Sequence, residues 1–137
     1  LDSANLARPL VLIGRRQLRS NNSWMHNHPR LTKGPATCTL LMHPRDAHRL
    51  KLVDGQQVRI ASGVGSIEAP LEVSDEIMPG VVSLPHGWGH TRSGTRQAIA
   101  AARPGVSIND VTEDGRVDEI TGNEAFSGTA VTVSAAE

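Results

Sequence analysis

The sequence predicts a mainly β domain, a small β-barrel with two short helices. Most of its apolar segments are short or alternate with polar residues, and glycine or proline turns bound them. Only two segments have the composition and spacing of helices. The chain has one Phe, two Trp and no Tyr, so its core must be aliphatic. A length of 137 residues suits one domain, and this pattern of elements is typical of a barrel.

The first half of the chain predicts two strands and a helix around one long polar loop. Residues 10–14 (LVLIG) are an apolar run that ends in glycine, which is typical of a buried strand. Residues 15–35 are polar and lack any apolar period, and such long loops are often functional. Residues 36–42 favour a second strand. Residues 43–50 favour a short helix, because Pro44 suits a first helical turn.

The second half predicts four more strands and a second helix. Glycine-containing turns separate segments in which apolar and polar residues alternate. The predicted strands cover residues 56–62, 67–73, 81–84 and 129–134. Residues 95–102 contain good helix formers and are followed by Pro104 and Gly105, which end helices. Residues 106–124 are polar and predict a loop with at most one edge strand.

Charge is unevenly distributed along a chain whose formal net charge is zero. Residues 1–33 carry six basic residues against Asp2 alone, a net charge of +5, whereas residues 103–137 carry two basic residues against seven acids. A basic segment suits an anionic ligand such as a phosphate or pyrophosphate. Alternatively, the basic and acidic ends neutralise each other across the fold.

Composition also excludes several classes of protein. A single cysteine, Cys38, cannot form a disulfide framework or hold an iron–sulfur cluster, and we expect it to be a small buried residue. No apolar run approaches the roughly 18 residues of a membrane span. Residues 1–9 lack the apolar core of a secretory signal. The chain begins with Leu1 instead of Met, which suggests a piece of a longer protein.

Common catalytic and nucleotide-binding motifs are absent, which leaves the polar loops as candidates. There is no nucleophile elbow, Walker A motif or Gly-x-Gly-x-x-Gly. His26 and His28 would share one face of a strand and could hold a metal, although solvated or hydrogen-bonded histidines are the preferred interpretation. Arginine after the first strand can grip phosphate oxygens. Trp24 and Trp88 could stack on a flat heterocycle or anchor the end of the barrel.

Several segments, in this order and spacing, resemble the molybdopterin-dinucleotide-binding domain. This is the C-terminal domain of the dimethyl sulfoxide reductase and formate dehydrogenase family of molybdopterin oxidoreductases. The matching segments are LVLIGRR at 10–16, NNSWMHN at 21–27, HPRDA at 43–47, DGQQV at 54–58, PG at 79–80, GWG at 87–89, SINDV at 107–111 and SGTAV at 127–131. The resemblance implies a double-psi β-barrel, as in aspartate decarboxylase, with 1–9 as a flexible segment and 10–137 as the domain.

The resemblance also implies a cofactor and its contacts. Loops at one barrel end would clamp the pterin and pyrophosphate of molybdopterin guanine dinucleotide. The molybdenum or tungsten, its protein ligand and the catalytic residues would belong to N-terminal domains of the same parent chain. Asp46 matches a structural position, at which it can stabilise its helix. The residues that match cofactor-binding positions are Gly14, Arg15, Arg16, Asn22, Ser23, Trp24, Met25, His26, His86, Gly87, Trp88, Gly89 and Asn109.

Further expectations concern context and two alternative functions. We expect the isolated domain to be monomeric, cytoplasmic and inactive in redox chemistry, without nucleic acid or a membrane span. One alternative is an anion- or nucleic-acid-binding module that uses the basic loop at 15–33. The other is a self-processing, decarboxylase-like enzyme cleaved between Gly65 and Ser66.

Overall fold

Six strands close into a barrel in a computed structural model that describes residues 9–94, 96–124 and 127–137. Two α-helices, α1 (Pro44–Leu50) and α2 (Ala98–Ala102), and two short 3₁₀ helices (Trp24–Asn27 and Ile108–Asp110) accompany them. The strands are β1 (Leu10–Arg15), β2 (Leu40–Met42), β3 (Gln57–Ala61), β4 (Ser66–Val73), β5 (Val81–Pro85) and β6 (Thr129–Ala135). None of the described helices is long and apolar enough to cross a membrane.

The strand order is that of a double-psi β-barrel, which confirms the predicted fold class. Around the barrel the order is β1-β5-β2-β4-β3-β6, and strands that are distant in sequence are therefore neighbours. β1 pairs with β5 in parallel, as β2 does with β4. The register places Arg15 beside Pro85, the last residues of β1 and β5. The loops that follow these two strands consequently leave from the same end of the barrel.

The barrel interior is aliphatic, as the composition predicted. Inward positions alternate along the strands, so that Val58 and Ile60 of β3 are fully buried while Gln57 and Arg59 are exposed. The core cluster consists of Leu, Ile, Val, Ala and Met side chains. Cys38 is buried, as expected, just before β2, and burial raises the pKa of its thiol. It is therefore a neutral, packed residue.

Helix α1 begins as the sequence predicted, and Asp46 connects it to another part of the fold. The His43 Nδ1 atom accepts a hydrogen bond from the amide of Arg45 at 3.0 Å and caps the helix. The buried Asp46 lies in the first turn, and its Oδ2 accepts the amide hydrogen of Gly80 at 2.6 Å. Asp46 thus fixes the turn that leads into β5, in addition to the role in its own helix that the sequence indicated.

Replacing Asp46 with alanine is expected to lower the free energy of unfolding by about 2 kcal/mol, because a part-buried amide hydrogen at Gly80 loses its acceptor. The exposed Asp75 provides a matched control, at which Asp75→Ala should change stability by less than about 0.5 kcal/mol. Urea denaturation measures both values. Equal effects of the two substitutions would show that the Asp46–Gly80 bond is unimportant.

Three predicted segments differ from the structure in extent. The predicted strand at 36–42 is wrong before Leu40, because the carbonyl oxygen of Thr39 accepts from the Arg15 side chain instead of from a strand neighbour. The predicted helix at 95–102 begins at Ala98, and residue 95 lies outside the described residues. Residues 106–124 contain one 3₁₀ helix and a single bridge between Val117 and Glu124. The segment 1–9, expected to be flexible, lies outside the described residues except for Pro9.

Candidate functional site

Two loops meet at the end of the barrel where β1 and β5 finish. We call residues 16–36 the first loop and residues 86–90 the β5 loop. The amide of His86 donates to the Arg15 carbonyl oxygen at 3.0 Å, which continues the pairing of the two strands. Gly87 has φ +93° and lies so close to the first loop that a Cβ atom would overlap the carbonyl oxygen of Asn22. The close approach requires glycine at this position.

A stacked pair of rings, His26 and Trp88, joins these loops. Their ring centroids are 3.8 Å apart with 24° between the planes. His26 is only 3% exposed; its Nδ1 lies 2.8 Å from His90 Nε2, and its Nε2 lies 3.0 Å from Ser20 Oγ. The Trp88 Nε1 atom is buried and has no hydrogen-bond partner among the described residues. An indole with a free donor therefore lies at the centre of the site.

Burial disfavours positive charge on both histidines of this site. Desolvation by burial is the main cause that lowers the pKa of His26, and the nearby His90 lowers it further. A hydrogen bond to the backbone of Gly87 partly opposes this shift. Burial also lowers the pKa of His90. Both imidazoles are consequently neutral at pH 7.

A third segment, residues 103–107, packs beneath the β5 loop. The carbonyl oxygen of Pro104 accepts from the amides of Gly89 and His90, at 2.8 and 3.1 Å. Gly105 has φ +57°, and a Cβ atom there would lie 2.9 Å from both the Trp88 ring and the Cys38 sulfur. Trp88 is thus held between His26 and Gly105.

A cavity of about 890 Å³ lies between the first loop and residues 103–105. Three cationic side chains line it, those of Arg19, Lys33 and Arg103, and no carboxylate does among the described residues. Nη1 of Arg103 donates to the carbonyl oxygens of Thr32 and Gly34, at 2.6 and 2.8 Å, which fixes this cation at the wall. His26 and Trp88 form another part of the wall. The cavity therefore suits an anionic ligand with a flat ring.

Comparison with known proteins identifies the family. The family model described as "Molydopterin dinucleotide binding domain" matches residues 10–130. The chain belongs to this family. It is 31% identical over 120 residues to ArrA, the molybdopterin-containing subunit of the arsenate respiratory reductase of Chrysiogenes arsenatis, covering 82% of this chain and 14% of ArrA. It is 29% identical over 92 residues to a subunit of the tetrathionate reductase of Salmonella typhimurium, covering 61% of this chain and 9% of that subunit.

Solved structures agree with this fold assignment. Acetylene hydratase from Pelobacter acetylenicus superposes with a TM-score of 0.79 at 20% sequence identity, over 98% of this chain and 19% of that one. The chain thus spans only 9–19% of the length of these relatives. The molybdopterin dinucleotide-binding domain is one part of larger oxidoreductase subunits in the curated relatives.

The structure of this molybdopterin dinucleotide-binding domain brings together some of the predicted site residues. A Cβ atom placed on Gly87 would meet the backbone of Asn22 and Ser23, and one placed on Gly14 would lie 3.8 Å from the Ile108 side chain, next to Asn109. His26 stacks on Trp88. Of the predicted residues, His26 and Trp88 line the cavity. The other predicted residues, which do not line the cavity, belong to the first loop, the β5 loop or the second 3₁₀ helix: Arg16, Trp24, Met25, His86, Gly89 and Asn109. Their contacts with cofactor stay predictions.

Arg15 has a structural role that the sequence did not indicate. Its guanidinium donates to the Ser83 carbonyl oxygen at 2.5 Å and to the carbonyl and hydroxyl oxygens of Thr39 at 2.8 and 3.0 Å. Burial lowers the pKa of Arg15, and the carboxylate of Glu72 opposes the shift. Arg15 therefore fixes β1 to β5 and to the approach to β2, and its phosphate contact stays a prediction. The neighbouring Arg16 is exposed and donates to Asn22 Oδ1 within the first loop.

Two further sequence interpretations change. Trp24 is 82% exposed, so its alternative role as a core anchor is wrong. His26 and His28 lie at or beside a 3₁₀ helix instead of a strand; His26 is buried against His90 while His28 is exposed. Among the residues that the structure describes, no three His, Cys, Asp or Glu side chains are grouped as a metal site requires.

Sequence reasoning missed six residues of the site: Gln17, Arg19, Ser20, Lys33, His90 and Arg103. His90 follows the Gly-Trp-Gly motif at once, and its position two residues after Trp88 was the available signal. Gln17 and Ser20 lie in a loop without periodicity, where no pattern marks a particular side chain.

Proposed function

We propose that this domain clamps the pterin and pyrophosphate of molybdopterin guanine dinucleotide in the cavity between the first loop, Trp88 and residues 103–105. The cavity supports this proposal, because three cations, a stacked indole and no described carboxylate line it. The pyrophosphate is anionic, and Arg and Lys side chains bind such groups by charge-assisted hydrogen bonds. The pterin and guanine are flat rings of the kind that pack on indole and imidazole rings.

Each part of the proposed clamp has a separate task. Arg19 and Lys33 would meet the pyrophosphate as exposed cations, whereas Arg103 is fixed in place by the carbonyl oxygens of Thr32 and Gly34. The buried Nε1 of Trp88 offers a donor to an acceptor atom of the ligand once the loops adjust. Gly87 and Gly89 allow the β5 loop to lie close to its neighbours.

The domain acts on chemistry through the cofactor it holds. When bound, the dinucleotide supplies a molybdenum or tungsten centre for redox chemistry in the parent enzyme. The residues of this chain bind and orient the pterin, and their hydrogen bonds to it tune that centre. We propose that the parent is a cytoplasmic, formate dehydrogenase-like oxidoreductase with its catalytic residues in other domains. The isolated domain, a monomer, should bind cofactor weakly and perform no turnover.

Titration of the isotope-labelled chain with molybdopterin guanine dinucleotide, and with GDP as a simpler probe, tests the clamp by NMR. We expect shifts of the Trp88 indole N–H and of the amides of Arg19, His26 and residues 87–89. Replacing both Arg19 and Lys33 with glutamine should weaken binding by about tenfold for each charge removed. Arg45→Gln on the exposed side of α1 is the matched control and should leave the affinity unchanged.

Two outcomes would overturn the clamp. One is a folded chain with no shifts at millimolar ligand. The other is equal weakening by the double substitution and by Arg45→Gln, which would indicate unspecific charge attraction. Shifts spread along residues 15–33 with RNA, but absent with the dinucleotide, would favour the nucleic-acid alternative.

A further inference from the structure

A chain of side-chain hydrogen bonds runs from the start of the first loop to the β5 loop. Gln17 Nε2 donates to the Thr37 carbonyl oxygen at 3.2 Å, and Ser20 Oγ lies 3.3 Å from Gln17 Oε1. Ser20 Oγ lies 3.0 Å from His26 Nε2, and His26 Nδ1 lies 2.8 Å from His90 Nε2. Four side chains are thus connected in series, with one end anchored on the backbone.

The anchor fixes the direction of every bond in this chain. Because the Gln17 amide nitrogen donates to Thr37, its oxygen faces Ser20 and accepts the hydroxyl hydrogen. Ser20 has then used its one hydrogen, so His26 Nε2 must carry the hydrogen between them. The Nδ1 atom of neutral His26 is consequently an acceptor, and it receives the Nε2 hydrogen of His90.

We propose that the His26–His90 pair is a proton-operated latch that holds the first loop on the β5 loop. A first proton from solvent is taken by His90 at Nδ1 and leaves the bond from His90 Nε2 to His26 Nδ1 in place. A second proton can bind only at His26 Nδ1. Both facing nitrogens, 2.8 Å apart in the closed site, then carry hydrogen and positive charge, and the bond is lost.

The surroundings of the pair oppose the doubly protonated state. His26 faces Ser20, the Trp88 ring, the backbone of Gly87 and a cavity wall that carries Arg19, Lys33 and Arg103. The Gly87 backbone and the Trp88 face favour a cation, but burial and the neighbouring His90 do not. The thiol of Cys38 on the same wall is neutral because burial raises its pKa. No described carboxylate lines the wall as a counter-ion.

On the other side of the latch, His90 contacts residue 104 and the Trp88 ring. Its backbone amide donates to Pro104, and its ring centroid lies 6.1 Å from that of Trp88. Arg92, which follows His90 by two residues, forms an ion pair with Asp110, with 3.6 Å between Arg92 Nη2 and Asp110 Oδ1. Burial lowers the pKa of both histidines. The latch is therefore closed at neutral pH. It opens only when pH falls well below the ordinary histidine pKa of about 6.5, where the second proton binds.

Other contacts limit how far the first loop moves when the latch opens. Asn27 Oδ1 accepts from the amides of Ile99 and Ala100 in α2, at 3.1 Å each. Arg103 holds the carbonyl oxygens of Thr32 and Gly34. Opening should therefore be confined to the segment between Gln17 and His26, which uncovers one face of Trp88. Release of a bound dinucleotide at low pH would follow from this, and that consequence alone rests on the proposed function.

Fluorescence of the ligand-free chain tests the latch itself. A Trp24→Phe background leaves Trp88 as the single tryptophan. We expect acrylamide quenching of Trp88 to rise severalfold between pH 7.5 and pH 4, while circular dichroism shows a folded barrel. When His90→Gln is added to this background, Trp88 should stay protected from acrylamide at every pH. The glutamine amide can either donate to neutral His26 or, after rotation, accept from protonated His26. In His90→Ala, Trp88 should be quenched at every pH. His48→Gln, at an exposed position of α1, should show the same pH dependence of Trp88 quenching as the background.

Nitrogen NMR of the imidazole rings gives a second, direct readout. At pH 7.5 we expect His26 to carry its hydrogen on Nε2, with Nδ1 unprotonated. The opposite tautomer would overturn the proposal. The proposal would also be overturned if Trp88 became quenched in His90→Gln at the same pH as in the background. A further contradicting result would be a background in which Trp88 stays protected down to pH 4 while Trp88 of His90→Ala is quenched. If His90→Ala does not fold, the comparison of the background with His90→Gln decides. Because no ligand is added, these results are independent of whether the clamp binds a dinucleotide.

Discussion

Alanine at position 87 is expected to separate the two loops and lower the free energy of unfolding by about 2–4 kcal/mol. Gly87 has φ +93°, which strains any L side chain, and its Cβ atom would overlap the carbonyl oxygen of Asn22. The amide nitrogen of Ser23 would lie only 3.2 Å from the added Cβ atom. Relief requires a backbone shift that also displaces Trp88. Urea denaturation should detect the loss, and the Trp88 indole should no longer shift with GDP.

Gly94 is a matched control for this experiment. It has φ +94°, but among the described residues no atom beyond its chain neighbours lies within 4 Å of a Cβ atom placed on it. Gly94→Ala should therefore show only the conformational cost of about 1–2 kcal/mol. If the two substitutions had the same effect, the contact between the β5 loop and the first loop would not be tight in solution.

Replacing Arg15 with methionine is expected to lower the free energy of unfolding by about 3–5 kcal/mol. Methionine keeps most of the length of the side chain but removes the donors to Ser83 and Thr39, and leaves their part-buried carbonyl oxygens without this partner. Arg16→Met, at the exposed neighbouring position, should change stability by less than about 0.5 kcal/mol. Thermal or urea unfolding of both variants gives the comparison.

The two arginines also separate a structural role from a cofactor-binding one. If Arg15 served as the phosphate contact that the sequence indicated, Arg15→Met would weaken dinucleotide binding and leave the free energy of unfolding nearly unchanged. That result would contradict the cross-link between β1, β5 and Thr39.

Local sequence patterns predicted most of the barrel, and their failures have tertiary causes. The alternation in β3 and β4 and the apolar runs of β1 and β5 fix which side chains face inward, and the observed strands agree to within one residue at either end. β2 is shorter than its composition suggests, because Arg15, distant in sequence, uses the carbonyl oxygen of Thr39. No local propensity contains that information.

The candidate site was predictable where motifs carried it. Trp88 and His26 lie in segments that resemble the family, and the structure stacks them. Gln17 and Ser20 act through side-chain bonds whose partners are set only when the first loop folds back. Arg103 reaches the same cavity from a segment whose sequence predicts no more than the end of a helix. Convergence of such distant residues depends on the strand order, which a single sequence does not show.

The position of β1 between β5 and β6 also determines when this barrel can fold. Leu10 is paired with Val131, and Val11 with Val81, so both edges of the first strand stay open until distant parts of the chain exist. Contacts with such large sequence separation slow folding. On the ribosome, the N-terminal strand would remain an unpaired, apolar edge through nearly the whole synthesis of the domain, open to wrong partners. Synthesis of Thr129–Ala135 is thus the event that allows the ring to close.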